Sequence, residues 1–409
     1  MKVLRGCYVV KEKIVKHTAL VSILVSTLML VGCGGEQTAD SIGLTQGRWG
    51  HTSTLLQDGR VLIVGGQQTP GTPRDSAEIY GLDSTLSFAG SMSEKRGEGH
   101  TATLLTDGRV LVIGGGLGGS NSVELFDPSS NQWSLTGSMA SERIEHTATL
   151  LKDGKVLVAG GLAGRKDLKA AEIYDPSTGQ WLPASKMAEK RQSHKAALLQ
   201  DGTVLVAGKS SSEIYDPSTD SWSLTGEMVV GKDRWGGATL TVLQDGRALL
   251  AAGAVAAGAY NEIPTRTSPG GAMLSVPASH PMPDFASYSQ AEIYDPSTGF
   301  WSAASALLEP RKFHTATLMP DGKVLLVGDK TAELYDPNAN TWASAGTLNL
   351  PRFDWHTANL LPNGTVLVVG GKEGASTYTG TSRETEGITA VEIYDPATGW
   401  QLLDKIPSD

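Results

Sequence analysis

Cysteine is nearly missing from this chain. Cys7 and Cys33 are the only two among 409 residues, and both precede the first repeated motif. Everything beyond residue 33 therefore lacks a thiol for a disulfide, a thiolate metal ligand or a nucleophile. There is no nucleophile motif, no phosphate-binding loop and no carboxylate-rich calcium loop. No apolar run reaches the roughly 20 residues that a membrane-spanning helix requires. Charged residues make up only 19% of the chain and aromatic residues 6%, while the net charge is −9. An acidic chain repels phosphate backbones, which argues against nucleic acid as a partner. Glycine, in contrast, is plentiful at 49 residues. Without a collagen period, so much glycine points to many tight turns and hence many short strands.

The first segment reads as an export signal. Lys11, Lys13 and Lys16 precede the apolar stretch Ala19–Val31, and Leu30-Val31-Gly32-Cys33 follows at its end. A basic start, a short apolar run and small residues at the close describe a secretory signal. The last four residues resemble the bacterial lipoprotein box, which implies lipidation of Cys33 and an anchor in the cell envelope. Gly34 in place of an Asp favours the outer membrane of a Gram-negative cell. The expected division is a signal peptide over 1–32, a polar tether over 33–46 and one domain over 47–409.

That domain is a sevenfold repeat. One unit runs His146-Thr147-Ala148-Thr149-Leu150-Leu151, then Asp153-Gly154, then Val156-Leu157-Val158-Ala159-Gly160-Gly161. It continues through Ala171-Glu172-Ile173-Tyr174-Asp175-Pro176 and closes at Trp181. The histidine position is filled by His51, His100, His146, His194, Ala238, His314 and His356. Each unit predicts four strands. Asp-Gly or Asn-Gly between the first two suits a two-residue type I′ turn. The apolar second strand suits burial on both faces. Asp-Pro stops the third, because proline lacks the ladder donor.

Paired glycines after the second strand, a tyrosine after the third and a tryptophan in the fourth resemble the kelch repeat, in wording close to its galactose-oxidase-like subgroup. The resemblance implies an all-β, seven-bladed β-propeller with four antiparallel strands per blade, and closure of the ring leaves only short edges. Its enzymatic relatives include copper radical oxidases, whose cofactor is a tyrosine cross-linked to a cysteine; that group cannot form here. Another relative isomerises a sugar acid without metal. No cofactor and no metal ligand set is therefore expected.

Phase separates architecture from candidate sites. A histidine in each blade would be spread around a ring, too wide for a metal that needs ligands about 2 Å away. The in-phase arginines Arg48, Arg96, Arg143, Arg191, Arg234, Arg311 and Arg352 and glutamates Glu78, Glu124, Glu172, Glu213, Glu292, Glu333 and Glu392 read as structural ion pairs within or between blades, or alternatively as an anion-attracting arginine ring. Out-of-phase aromatics occupy the linkers between blades: Trp49, Trp235, Phe313 and Trp355. Two long insertions, about 254–290 and 372–390, hold Tyr260 and Tyr378. With Asp233, Arg234, Arg352 and Asp354, these ten residues form the candidate ligand site on the loop face of blades five, six, seven and one. Aromatics beside polar groups suit a glycan or a protein partner. No catalytic residue is assigned, although Glu98, Glu145 and Asp354 are available acids. The preferred reading is a lipid-anchored binding protein. The alternative is a carbohydrate-active enzyme without the tyrosine–cysteine copper cofactor.

Overall fold

The computed structural model describes residues 43–116, 119–208, 211–229, 234–256, 285–372 and 386–403. These residues form a seven-bladed β-propeller with no helix among them. Blade one shows the plan: β1 (Thr52–Leu55), β2 (Val61–Val64), β3 (Arg74–Tyr80) and β4 (Leu86–Arg96), antiparallel in that order. The first strand of every blade lies against those of both neighbouring blades, and that of blade one against that of blade seven, so the ring is closed. In blade six the second and third strands run together as Val324–Asp336, with Asp329 at φ +54° between the two paired segments.

Packing follows the sequence pattern. All seven second strands are buried on both faces. There are seven apolar clusters, and each spans one seam between blades. At the first seam, Leu62, Val64, Ala77 and Ile79 meet Val110, Val112 and Phe126. Each of these Leu, Val, Ile and Phe side chains removed from water contributes about 1.5–3 kcal/mol. The fourth-strand tryptophans add a polar tie. Trp133, Trp181, Trp222, Trp342 and Trp400 donate their indole N–H to a carbonyl of the preceding blade at 2.6–2.8 Å.

The turns after the first strands differ from the expected type I′. In blade one the Gly59 N–H donates to Leu56 O and the Leu56 N–H to Arg60 O. Only Gly59, not Asp58, has positive φ. The turn is therefore type I followed by a left-handed glycine. The Asp58 carboxylate accepts the Arg60 N–H at 3.1 Å, and this local bond holds the aspartate right-handed.

The arginines are wholly internal. Arg48, Arg96, Arg143, Arg191, Arg311 and Arg352 are at most 1% exposed. Each pairs with the glutamate of the blade that follows it in the chain. The second carboxylate oxygen of each of these glutamates accepts the backbone N–H three residues before its arginine, as from Leu308 to Glu333 at 2.7 Å. These six are not an anion-attracting ring, because none reaches solvent.

Closure uses no shared strand. All four strands of blade seven come from residues 357–403 and all four of blade one from 52–96. Leu44 fills the closing seam and its N–H donates to Thr389 O at 2.8 Å, while Thr45 N–H donates to Glu78. The propeller thus begins before residue 47. Gly370 stands at this seam with φ +63°, and a Cβ there would lie 2.5 Å from Arg48 O. Gly364, at φ +85°, has open space. Gly364→Ala is expected to cost about 1–2 kcal/mol through backbone strain alone. Gly370→Ala adds the steric clash and should cost roughly 2–5 kcal/mol. Urea unfolding of both variants checks the difference.

Candidate functional site

Between blades the chain must return from an outer strand to the channel wall. It does so through one left-handed residue directly before the histidine position. Gly50, Gly99, Glu145, Ser193, Gly237, Phe313 and Trp355 all have φ between +52° and +80°. Their peptides join neighbouring blades. Glu145 N–H donates to Gly99 O at 2.9 Å, Ser193 to Glu145 at 3.0 Å, Phe313 to Gly237 at 2.9 Å and Gly50 to Trp355 at 3.2 Å. Three of the seven are glycine, as the geometry favours. The other four carry side chains at a cost of about 1–2 kcal/mol each. Such strain, where observed, is a pointer to function.

Those four side chains face a cavity of about 990 Å³ at the channel mouth. Phe313 and Trp355 are half-buried and stack at 4.7 Å with 26° between ring planes. Ser193 Oγ donates to Glu145 Oε2 at 2.5 Å. Glu98 and Lys195 line the same cavity. Burial raises the Glu98 carboxyl above its usual range, with Glu145 adding to the effect and Lys372 opposing it. Burial lowers the Lys195 amine, and Glu145 opposes that.

Below the mouth runs a belt of histidines. Nε2 of His51, His100, His146, His194, His314 and His356 meets the hydroxyl of Thr357, Thr52, Thr101, Thr147, Thr239 and Thr315, respectively, at 2.9–3.3 Å. Each contact crosses a seam. The in-phase histidines are therefore spacers between blades.

Of the sequence candidates, the structure brings Phe313 and Trp355 together on the cavity wall. Trp49 is 3% exposed; its indole donates to Gln68 O and Lys372 Nζ lies 3.8 Å from its ring centre. Asp354 is buried beneath Trp355, and burial pushes its carboxyl up to about 6. Arg352 is buried against Glu392 and Gly370 O. Trp49, Asp354 and Arg352 are thus buried and do not line this cavity. Arg234 and Trp235 lie on the strand Arg234–Gly236, which pairs with Ala254–Ala256 at the root of the long insertion. Asp233, Tyr260, Tyr378 and Cys33 lie outside the described residues. Sequence reasoning left Glu145 without a role and missed Ser193 and Lys195. The available signal was the position before the histidine, glycine in three blades and not in four.

Residues 100–140 and 146–188, in blades two and three, match the kelch motif. No curated protein matches the sequence. Among solved structures, the chain is similar to a fungal alcohol oxidase of the AA5 family in complex with copper. That likeness has a TM-score of 0.64 at 18% identity, over 85% of this chain and 74% of that one. It is also similar to YjhT, with a TM-score of 0.55 at 15% identity, over 74% of this chain and 98% of that one. Among the described residues no three His, Cys, Asp or Glu converge on a point, and the belt histidines face threonines. Seven blades of one construction, with the kelch motif matched in two of them, make this chain a kelch-type seven-bladed β-propeller.

Proposed function

We propose that the channel mouth binds a small neutral carbohydrate, and that the propeller is a binding protein held at the cell envelope through a lipid on Cys33. One observation carries the binding reading. The strained left-handed positions place a stacked aromatic pair on blades six and seven, and hydrogen-bonding groups on blades three and four, around one concave cavity. An apolar wall with a few polar groups is the usual form of a small-molecule site. A sugar ring offers an apolar face to such a wall and hydroxyls to the opposite arc. A concave cavity suits this better than a flat protein epitope.

The test is calorimetric titration of a panel of methyl glycosides and short glycans against the full chain. Trp355→Gly keeps the left-handed backbone and relieves its strain, so the fold should persist with an unchanged or higher melting temperature. Binding should weaken by at least about tenfold, as for loss of an aromatic anchor. Equal binding by variant and parent, or no binding by the parent to any member of the panel, removes the proposal.

A further inference from the structure

The histidine belt is interrupted at one seam, and both partners change there. Six first strands supply a threonine to the next blade's histidine. Between blades four and five, Lys195 takes the threonine position and Ala238 the histidine position. The alanine vacates the volume of an imidazole, which gives the lysine stem room. Among the described residues no hydrogen bond or ion pair reaches the Lys195 amine. Its side chain lines the cavity beside Glu145 and Ser193, on a wall shared with Phe313 and Trp355.

A half-buried amine on the wall of a cavity, with no carboxylate among the described residues in hydrogen-bonding range, is free to meet a ligand there. A ligand can answer it in two ways, with an anion or with a carbonyl. The surroundings decide between these. Glu98 and Glu145 face the same cavity, and Lys195 is the one lysine or arginine among its lining residues. An anionic ligand would meet two carboxylates and one amine, whereas a neutral carbonyl meets no such repulsion.

We infer that Lys195 binds the carbonyl carbon of a neutral aldehyde, or of an open-chain reducing sugar, as a reversible imine. The amine nitrogen attacks the carbonyl carbon and a carbon–nitrogen double bond forms. The carbonyl oxygen leaves as water with the two amine hydrogens, and no electron is transferred. Burial, which depresses the amine's pKa, supplies the free base this step requires. The inference rests on the channel-mouth reading and names its ligand class.

The experiment treats the full chain with glycolaldehyde and cyanoborohydride and maps reduced adducts by peptide mass. Lys195 should label at least about tenfold faster than any other lysine, since free amine at neutral pH rises about tenfold for each unit its pKa falls. The double variant Lys195→Thr with Ala238→His completes the belt, so it should fold and lose the fast adduct. Labelling of Lys195 no faster than exposed lysines overturns the imine. If methyl glycosides still bind in a Trp355-dependent way, the binding reading survives that result. Fast labelling with no glycoside binding would instead remove the binding reading and leave the reactive lysine.

Discussion

Between pH 7 and pH 5 the propeller is expected to lose several kcal/mol of its free energy of unfolding, because its histidine belt cannot accept protons while folded. Burial is the main cause. It lowers His100 to about 4 and His146 and His356 to about 3, with Arg143 and Arg352 adding to the effect at the latter two. His51 is lowered well below the usual value by burial and by Arg48. An unfolded histidine takes up its proton near 6.5. Stability from these rings is therefore complete above that pH and falls as the pH drops toward the folded values. Each ring contributes about 1.4 kcal/mol per pH unit across this window. His100, His146 and His356 together give roughly 6 kcal/mol between 6.5 and 5, a large share of the 5–15 kcal/mol typical of a folded domain, and His51 acts in the same direction. Asp354 acts in the opposite sense. Its carboxyl, raised to about 6 by burial, is a cost at neutral pH that acid relieves, returning about 1–2 kcal/mol by pH 5. The carboxylates lowered by turn hydrogen bonds, such as Asp127 and Asp295, contribute to acid loss only below about 4. Urea midpoints at pH 7, 6 and 5 measure the sum. His146→Gln keeps a hydrogen-bonding side chain without the titration, and should flatten the profile by about 2 kcal/mol over the same interval. A midpoint that does not move between pH 7 and 5 would show that the rings are solvated in the fold.

The belt was legible in the sequence because phase was legible. His51, His100, His146, His194, His314 and His356 recur with the apolar pattern, and a residue that recurs in every blade serves what every blade needs. Ion pairing between the in-phase arginines and glutamates was readable in the same way, but which glutamate each arginine meets was not, and only the structure assigns the partners. The site was not, for a physical reason. A non-glycine residue announces nothing about positive φ, so Glu145, Ser193, Phe313 and Trp355 look like ordinary linker residues until the backbone is seen. Trp49 and Trp355 illustrate the limit. Both are out-of-phase indoles in linkers, yet one residue of offset from the histidine sends Trp49 into the interior and Trp355 to the cavity wall. The turn assignment failed at similar scale. Asp-Gly permits two turns, and the aspartate's bond to the N–H two residues on selects between them. Ala238 was visible as a gap in the repeat, but its meaning required the neighbouring blade, where Lys195 had changed with it.

The largest effect of a single substitution is expected at the Arg311–Glu333 pair, and it should reach the cavity. Arg311 uses its whole fork. Nε donates to Glu333 at 3.0 Å, one terminal nitrogen to Gly328 O and Thr331 O at 2.8 and 2.7 Å, and the other to Glu333 and Thr331 Oγ1 at 2.7 Å each. Arg311→Met fills a similar volume but leaves the Glu333 carboxylate buried with only the Leu308 and Glu309 N–H groups. Breaking a buried pair from one side costs about 3–5 kcal/mol. Arg311→Lys retains the charge without the planar fork and should fall between parent and methionine. Arg311→Met with Glu333→Met removes the stranded charge and should recover part of the loss. It should not recover all of it, because the Leu308 and Glu309 N–H groups and the Gly328 and Thr331 carbonyls lose these partners, which leaves a residual cost of about 1–3 kcal/mol. Urea unfolding of the parent, Arg311→Met, Glu333→Met and the double variant gives the cycle, and a cost under about 1 kcal/mol for Arg311→Met would mean that solvent or relaxation replaces the fork. The pair also sets the linker. Arg311 precedes Phe313 by two residues and fixes the backbone that holds Phe313 in its left-handed conformation against Trp355. Amide exchange should therefore quicken across residues 311–314 in Arg311→Met, and any ligand that stacks on the Phe313–Trp355 pair should bind more weakly to it than to Arg311→Lys.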